Sequence, residues 1–79
     1  MFLYQVINET LYHVDIGSYI SYGLRVIFLS YGIYKEVQKI SDISTDEKKV
    51  ALLAELCTKN QLSPIHLLDV IEDFLELND

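Results

Sequence analysis

The 79-residue chain changes character near residue 43, and that break limits its fold more than any single motif does. Ahead of the break lie all six tyrosines and all three glycines, among Ile, Val and Phe. Behind it there is no Tyr or Gly, and Leu, Glu, Asp and Lys take over. β-Branched and aromatic side chains fit a pleated, half-buried surface, whereas unbranched apolar and charged ones lose little freedom in a helix. One α+β domain is expected, with a sheet over residues 1–43 and a helical hairpin over 44–79.

Residues 18–29 alternate. Ile20, Tyr22, Leu24, Val26 and Phe28 share one face, while Ser21, Gly23 and Arg25 fall on the other. The tripeptide SYG occurs twice, at Ser21–Gly23 and Ser30–Gly32. The first copy lies inside the alternating strand. The second supplies turn residues, since Gly32 can take a positive φ. "IYKEVQKI" then reads as a strand with Lys35 and Lys39 outward. Residues 2–7 and 11–16 read as strands on either side of "NET", and Gly17-Ser18 marks a further turn. The pattern predicts an antiparallel meander of three to four strands.

Ser44 followed by Glu47 has capping-box spacing, which predicts a first helix from Thr45 to Lys59. That helix would bury Val50, Leu53, Leu56 and Cys57, with Asn60 as a left-handed cap. Ser63-Pro64 predicts the start of a second helix running to Leu77. Its apolar stripe is Ile65, Leu68, Ile71, Phe74 and Leu75, widened by Leu67 and Val70. The hairpin must cover one sheet face, because neither half can bury its apolar surface alone.

At 79 residues the chain has room for one small core, yet its hydrophobic fraction is 51%. Some of that surface stays exposed or enters an interface, which predicts a homodimer. The net charge is −6 and is unevenly spread. Residues 60–79 carry Asp69, Glu72, Asp73, Glu76 and Asp79 with no basic residue. A chain without a basic patch is a poor direct binder of nucleic acid. Cys57 is the sole cysteine, so no internal disulfide or multi-cysteine zinc site is expected, and a reducing compartment fits. No apolar run approaches the length that spans a bilayer, and the N-terminus lacks the basic start and apolar run of a signal peptide. A cytoplasmic protein with no membrane partner is expected.

His66 and Asp69, at i and i+3, can share a helix face. Nucleophilic catalysis would also need a Ser or Cys beside the His and an oxyanion hole, and Cys57 falls on an apolar face where a thiol stays protonated. Local packing of His66 accounts for the pair without catalysis. A metal site could combine His13, His66 and a carboxylate, though the only local pair is His66 with Asp69. No glycine-rich phosphate loop occurs. No enzyme activity, cofactor or bound metal is expected.

Asp69, Glu72, Asp73 and Glu76 would occupy the outer face of the second helix. Such a face can be merely solvated. Acids toward a helix C-terminus are disfavoured by its dipole, however, and a basic partner surface would offset that. Tyr19, Tyr22, Tyr31 and Tyr34 form a second candidate, since tyrosine buries much area at interfaces and keeps a hydrogen-bonding tip.

"YGLR" at 22–25, "DIST" at 42–45 and "LSPIHLLDVIEDFLEL" at 62–77 resemble a family of small bacterial proteins of unknown function. The resemblance implies the fold boundaries and no mechanism. It makes Tyr22, Gly23, His66, Asp69, Glu72 and Asp73 the first positions to test. The expected function is that of a small acidic regulator or inhibitor that docks on a basic surface of a partner protein. One concrete form is a phage or mobile-element inhibitor of a nucleic-acid-handling machine, anti-CRISPR-like in action. The alternative is a small-ligand or metal-binding module around His66 and Asp69.

Overall fold

The computed structural model describes residues 1–78; Asp79, the last of the C-terminal acids, lies outside them. Three antiparallel strands come first: β1 (Phe2–His13), β2 (Gly17–Ser30) and β3 (Ile33–Ser44), in the order β1-β2-β3. Helix α1 (Glu47–Lys59) follows, then a 3₁₀ turn at Pro64–His66 that leads into α2 (Leu67–Asn78). The fold is therefore the expected α+β meander and helical hairpin, with three strands.

"NET" is not a turn. Asn8, Glu9 and Thr10 pair with Tyr22, Ser21 and Ile20, so β1 runs unbroken through them. The chain reverses later, inside the expected strand 11–16, where the Ile16 N–H donates to the His13 carbonyl (3.2 Å). Gly17, at φ 78°, completes that reversal. The second hairpin is tighter. Ser30 pairs with Ile33, and the two residues between them, Tyr31 (φ 52°) and Gly32 (φ 74°), both take left-handed backbone. Positive φ at both central positions is the turn whose twist matches a hairpin.

The register puts Phe2, Tyr4, Tyr22, Leu24, Val26, Phe28 and Ile40 on one sheet face. Of these, Tyr4, Leu24 and Val26 are buried in one core with Val50, Leu53, Ala54 and Cys57 of α1 and Leu67 and Ile71 of α2. The Tyr4 hydroxyl donates to the Leu62 carbonyl at 2.5 Å, which ties the sheet to the segment between the helices. Burial pushes the Tyr4 phenol up to about 12, and nearby Cys57 adds to the shift. Burial likewise raises the Cys57 thiol.

Four helix details differ from the sequence expectation. Asp46, not Ser44, caps α1, accepting from the Lys48 N–H at 3.0 Å; Ser44 Oγ instead accepts from the Asp46 N–H. Strand β3 therefore continues through Ser44 and the helix starts at Glu47. Leu56 is 41% exposed, and Ala54 takes its place in the core. The left-handed residue after α1 is Gln61 (φ 48°), not Asn60 (φ −91°). The Leu62 N–H reaches the Cys57 carbonyl and the Gln61 N–H the Thr58 carbonyl, the paired bonds of a Schellman ending. Finally, the Ser63 side chain makes no cap bond, and Ile65 and Leu68 are 84% and 58% exposed. The buried stripe of α2 centres on Leu67 and Ile71 because the 3₁₀ turn winds more tightly than an α-helix and resets the phase.

Candidate interaction surfaces

The acidic surface follows from how α2 is seated. Leu67 and Ile71 point into the core, with Val70, Phe74 and Leu75 packed beside them. At 3.6 residues per turn, Glu72, Glu76, Asp69 and Asp73 then fall within an arc of about 100° on the opposite side. All four are exposed. No ion pair between described residues engages any of them. The last turn of α2 carries no basic residue, so Glu76 lies near a helix terminus that favours cations.

The four candidate tyrosines do not form one patch. Tyr22 is on the helix-covered face, packed against the core. Desolvation, followed by the hydrogen-bonding influence and charge of the Glu47 carboxylate, raises its pKa. Tyr19 and Tyr34 are on the other face, where Tyr19 pairs with Leu11 and Tyr34 with Leu29. Tyr31 stands fully exposed at the β2–β3 turn. The Tyr19 hydroxyl donates to Asp42 Oδ2 at 3.3 Å, and desolvation followed by the Asp42 charge raises its pKa.

Asp42 explains the first SYG. It sits where β3 slips register against β2, with φ 56°. Ser21 Oγ, buried, donates to its Oδ1 at 2.6 Å. Gly23 leaves room beside that bulge: a Cβ there would stand 2.1 Å from the Ile40 carbonyl oxygen. The serine and the glycine hold a kinked β3, and the tyrosine packs on the opposite face. Sequence reading did not single out Ser21 or Asp42 as partners. An aspartate is one of the few residues that tolerates left-handed backbone, and this was the available signal.

The uncovered sheet face is polar along its centre. Lys39 Nζ lies 3.2 Å from Glu9 Oε1, and Ser41 Oγ donates to the same oxygen at 3.1 Å. Arg25 donates to Gln5 at 2.8 Å and lies 3.8 Å from Glu36. These residues ladder across all three strands and engage one another.

The structure does not assemble His66 and Asp69 into a pocket. Both are exposed, on the 3₁₀ turn and the first turn of α2. His13 is at the far end of β1, where its Nδ1 accepts from the Asp15 N–H. Among the described residues no group of three His, Cys, Asp or Glu could hold a metal ion. A small apolar groove of about 250 Å³ runs between the helices, lined by Leu53, Leu56, Cys57, Leu62, Val70 and Phe74. Neither His66 nor Asp69 lines it. No helix of the described residues is long and apolar enough to cross a membrane.

A model described as a family of unknown function, DUF6514, matches residues 1–77. The chain belongs to that family. No curated protein and no solved structure matches it. The match runs through the sheet and both helices, so the fold described above is the DUF6514 unit.

Proposed function

We propose that this chain is a non-enzymatic interaction protein that docks the acidic face of α2 on a basic surface of a partner protein. The observation that supports the reading is the arc of Asp69, Glu72, Asp73 and Glu76, exposed and engaged in no ion pair among the described residues. Within it, 69–72, 69–73, 72–76 and 73–76 are like-charge neighbours at helical spacing. Each such pair destabilises a helix by about 0.2–0.5 kcal/mol, about 1–2 kcal/mol together. A layer of Lys and Arg from a partner relieves that repulsion and adds charge-assisted contacts.

A regulator or inhibitor of this kind acts by occupying a basic surface that its target uses for something else. Nucleic-acid-handling machines have such surfaces, because phosphate affinity comes from Lys and Arg. A phage or mobile-element inhibitor of one of them, anti-CRISPR-like, is the concrete form of the proposal. The test compares tagged wild type with Glu72→Lys/Asp73→Lys in recovering partners from the native cell. Both positions are exposed and all four like-charge pairs become opposite-charge ones, so the melting temperature should hold or rise while a specific partner is lost. Recovery of the same partner by both proteins would overturn the reading.

A further inference from the structure

The two edges of the sheet are treated differently. The β3 edge carries Lys35, Glu36 and Lys39 and two register shifts, devices that discourage pairing with another strand. The β1 edge is blocked only at its start. The Phe2 N–H donates to Gln61 Oε1 (2.9 Å) and its carbonyl accepts from Gln61 Nε2 (3.0 Å). The Tyr4 N–H donates to Thr58 Oγ1 (2.9 Å), whose hydroxyl lies 3.5 Å from the Tyr4 carbonyl. The end of α1 thus satisfies the outward backbone at two successive outward positions.

Alternation makes Val6, Asn8, Thr10 and Tyr12 the next outward backbone positions. Among the described residues no strand pairs with them and no side chain hydrogen-bonds to their backbone. The only acid on β1, Glu9, reaches across the sheet face to Lys39 and Ser41 and leaves the edge uncharged. From Glu9 to Ser21 the sheet is also thin. The last pairing of β3 with β2 is Tyr22↔Ser44, so beyond it only two strands remain. Tyr12, Val14, Ile16 and Ile20 are all more than half exposed on this arm. A two-stranded ribbon is marginal in water by itself.

We propose that the β1 edge from Ile7 to His13 pairs antiparallel with the same edge of a second copy, joining two sheets into one of six strands. The occupant is a second copy because the segment is self-complementary. With Thr10 opposite Thr10 on the two-fold axis, Asn8 faces Tyr12, Ile7 faces His13 and Glu9 faces Leu11. No like charges oppose each other, whereas an axis at Glu9 would set two carboxylates together. Although the chain carries −6, residues 7–13 contribute only Glu9 and His13 to the seam. The seam is about 23 Å long and supplies about six main-chain hydrogen bonds, within the range of about 10 ± 5 for specific interfaces. Thr58 and Gln61 occupy the edge at Tyr4 and Phe2, which limits how far the register can slide. This surface is separate from the α2 face and stands or falls without it.

Sedimentation or light scattering from low to high micromolar concentration tests the proposal. Wild type should reach twice the chain mass, and Thr10→Lys, at an exposed position, should remain monomeric with an unchanged far-UV spectrum. Tyr34→Ser, near the β3 edge, should leave the dimer intact. Amide exchange of wild type gives a second readout that requires no variant. The Asn8, Thr10 and Tyr12 amides should exchange about tenfold or more slowly at high than at low concentration. A wild-type monomer throughout, a dimer unaffected by Thr10→Lys, or concentration-independent exchange at those three amides would each overturn it.

Discussion

Replacing Gly23 by alanine tests the reason for the first SYG. An added Cβ would stand 2.1 Å from the Ile40 carbonyl oxygen and 3.1 Å from Ser41 Cα. Both are backbone atoms, so no rotamer change relieves the contact. Restoring an ordinary carbon–oxygen separation requires β3 to move outward by about 1.2–1.5 Å. That movement pulls against Asp42, which Ser21 holds at 2.6 Å. Without the contact, alanine for glycine in a strand would stabilise by about 0.5–1 kcal/mol. Overpacking against a backbone costs about 1–3 kcal/mol and more where the neighbour cannot yield. The contact is short enough for overpacking to win, and a net loss of about 2 kcal/mol is expected. In a domain of this size that lowers Tm by about 10 °C. Gly32→Ala is the comparison: nothing lies within 4 Å, but φ is 74°. Left-handed strain alone should cost about 1 kcal/mol there. Urea unfolding at one fixed low concentration measures both without a contribution from self-association. A Gly23→Ala protein as stable as wild type would refute the close approach of β3 and the bulge built on it.

Two further outcomes follow from the helix caps and the core phenol. Asp46→Ala should cost about 1 kcal/mol in the urea midpoint, while Ser63→Ala, with no cap bond to lose, should stay within about 0.5 kcal/mol of wild type. The folded-state pKa of Tyr4 is raised, so its contribution is complete below pH 10 and is lost as pH climbs from 10 toward about 12. The urea midpoint of wild type should fall across that window, and Tyr4→Phe should flatten the fall; Cys57→Ala, measured in parallel, removes the thiol's share.

The fold class was readable because its signals are local. Tyr, Ile and Val before residue 43 and the Leu–Glu–Lys pattern after it each point to one element type, and Gly32 marks its turn through backbone freedom alone. The misplaced details depend on contacts distant in sequence. "NET" looks like a turn until Glu9 is seen bound to Lys39 and Ser41 across the sheet. Ser44 has the better capping-box spacing, but β3 still pairs there with Tyr22, so the helix cannot begin before Asp46 releases the chain. Gln61 takes the left-handed position expected of Asn60, and its side chain bridges to Phe2, a contact that only the folded chain creates. The phase of α2 was lost by counting Ile65 as α-helical when it lies in a 3₁₀ turn. The acidic arc survived that error because its four residues share helical spacing whatever the starting phase. Sequence proximity groups the tyrosines, whereas strand parity sets Tyr22 on the face opposite Tyr19 and Tyr34.

The most direct test of the proposed docking face is the association rate of the partner that wild type recovers, measured across ionic strength. A contact steered by Asp69, Glu72, Asp73 and Glu76 should associate fastest at low salt and slow steeply as salt is added. The Glu72→Lys/Asp73→Lys protein should associate far more slowly at low salt and lose that dependence. Wild-type association indifferent to ionic strength and unchanged by the reversal would contradict the account.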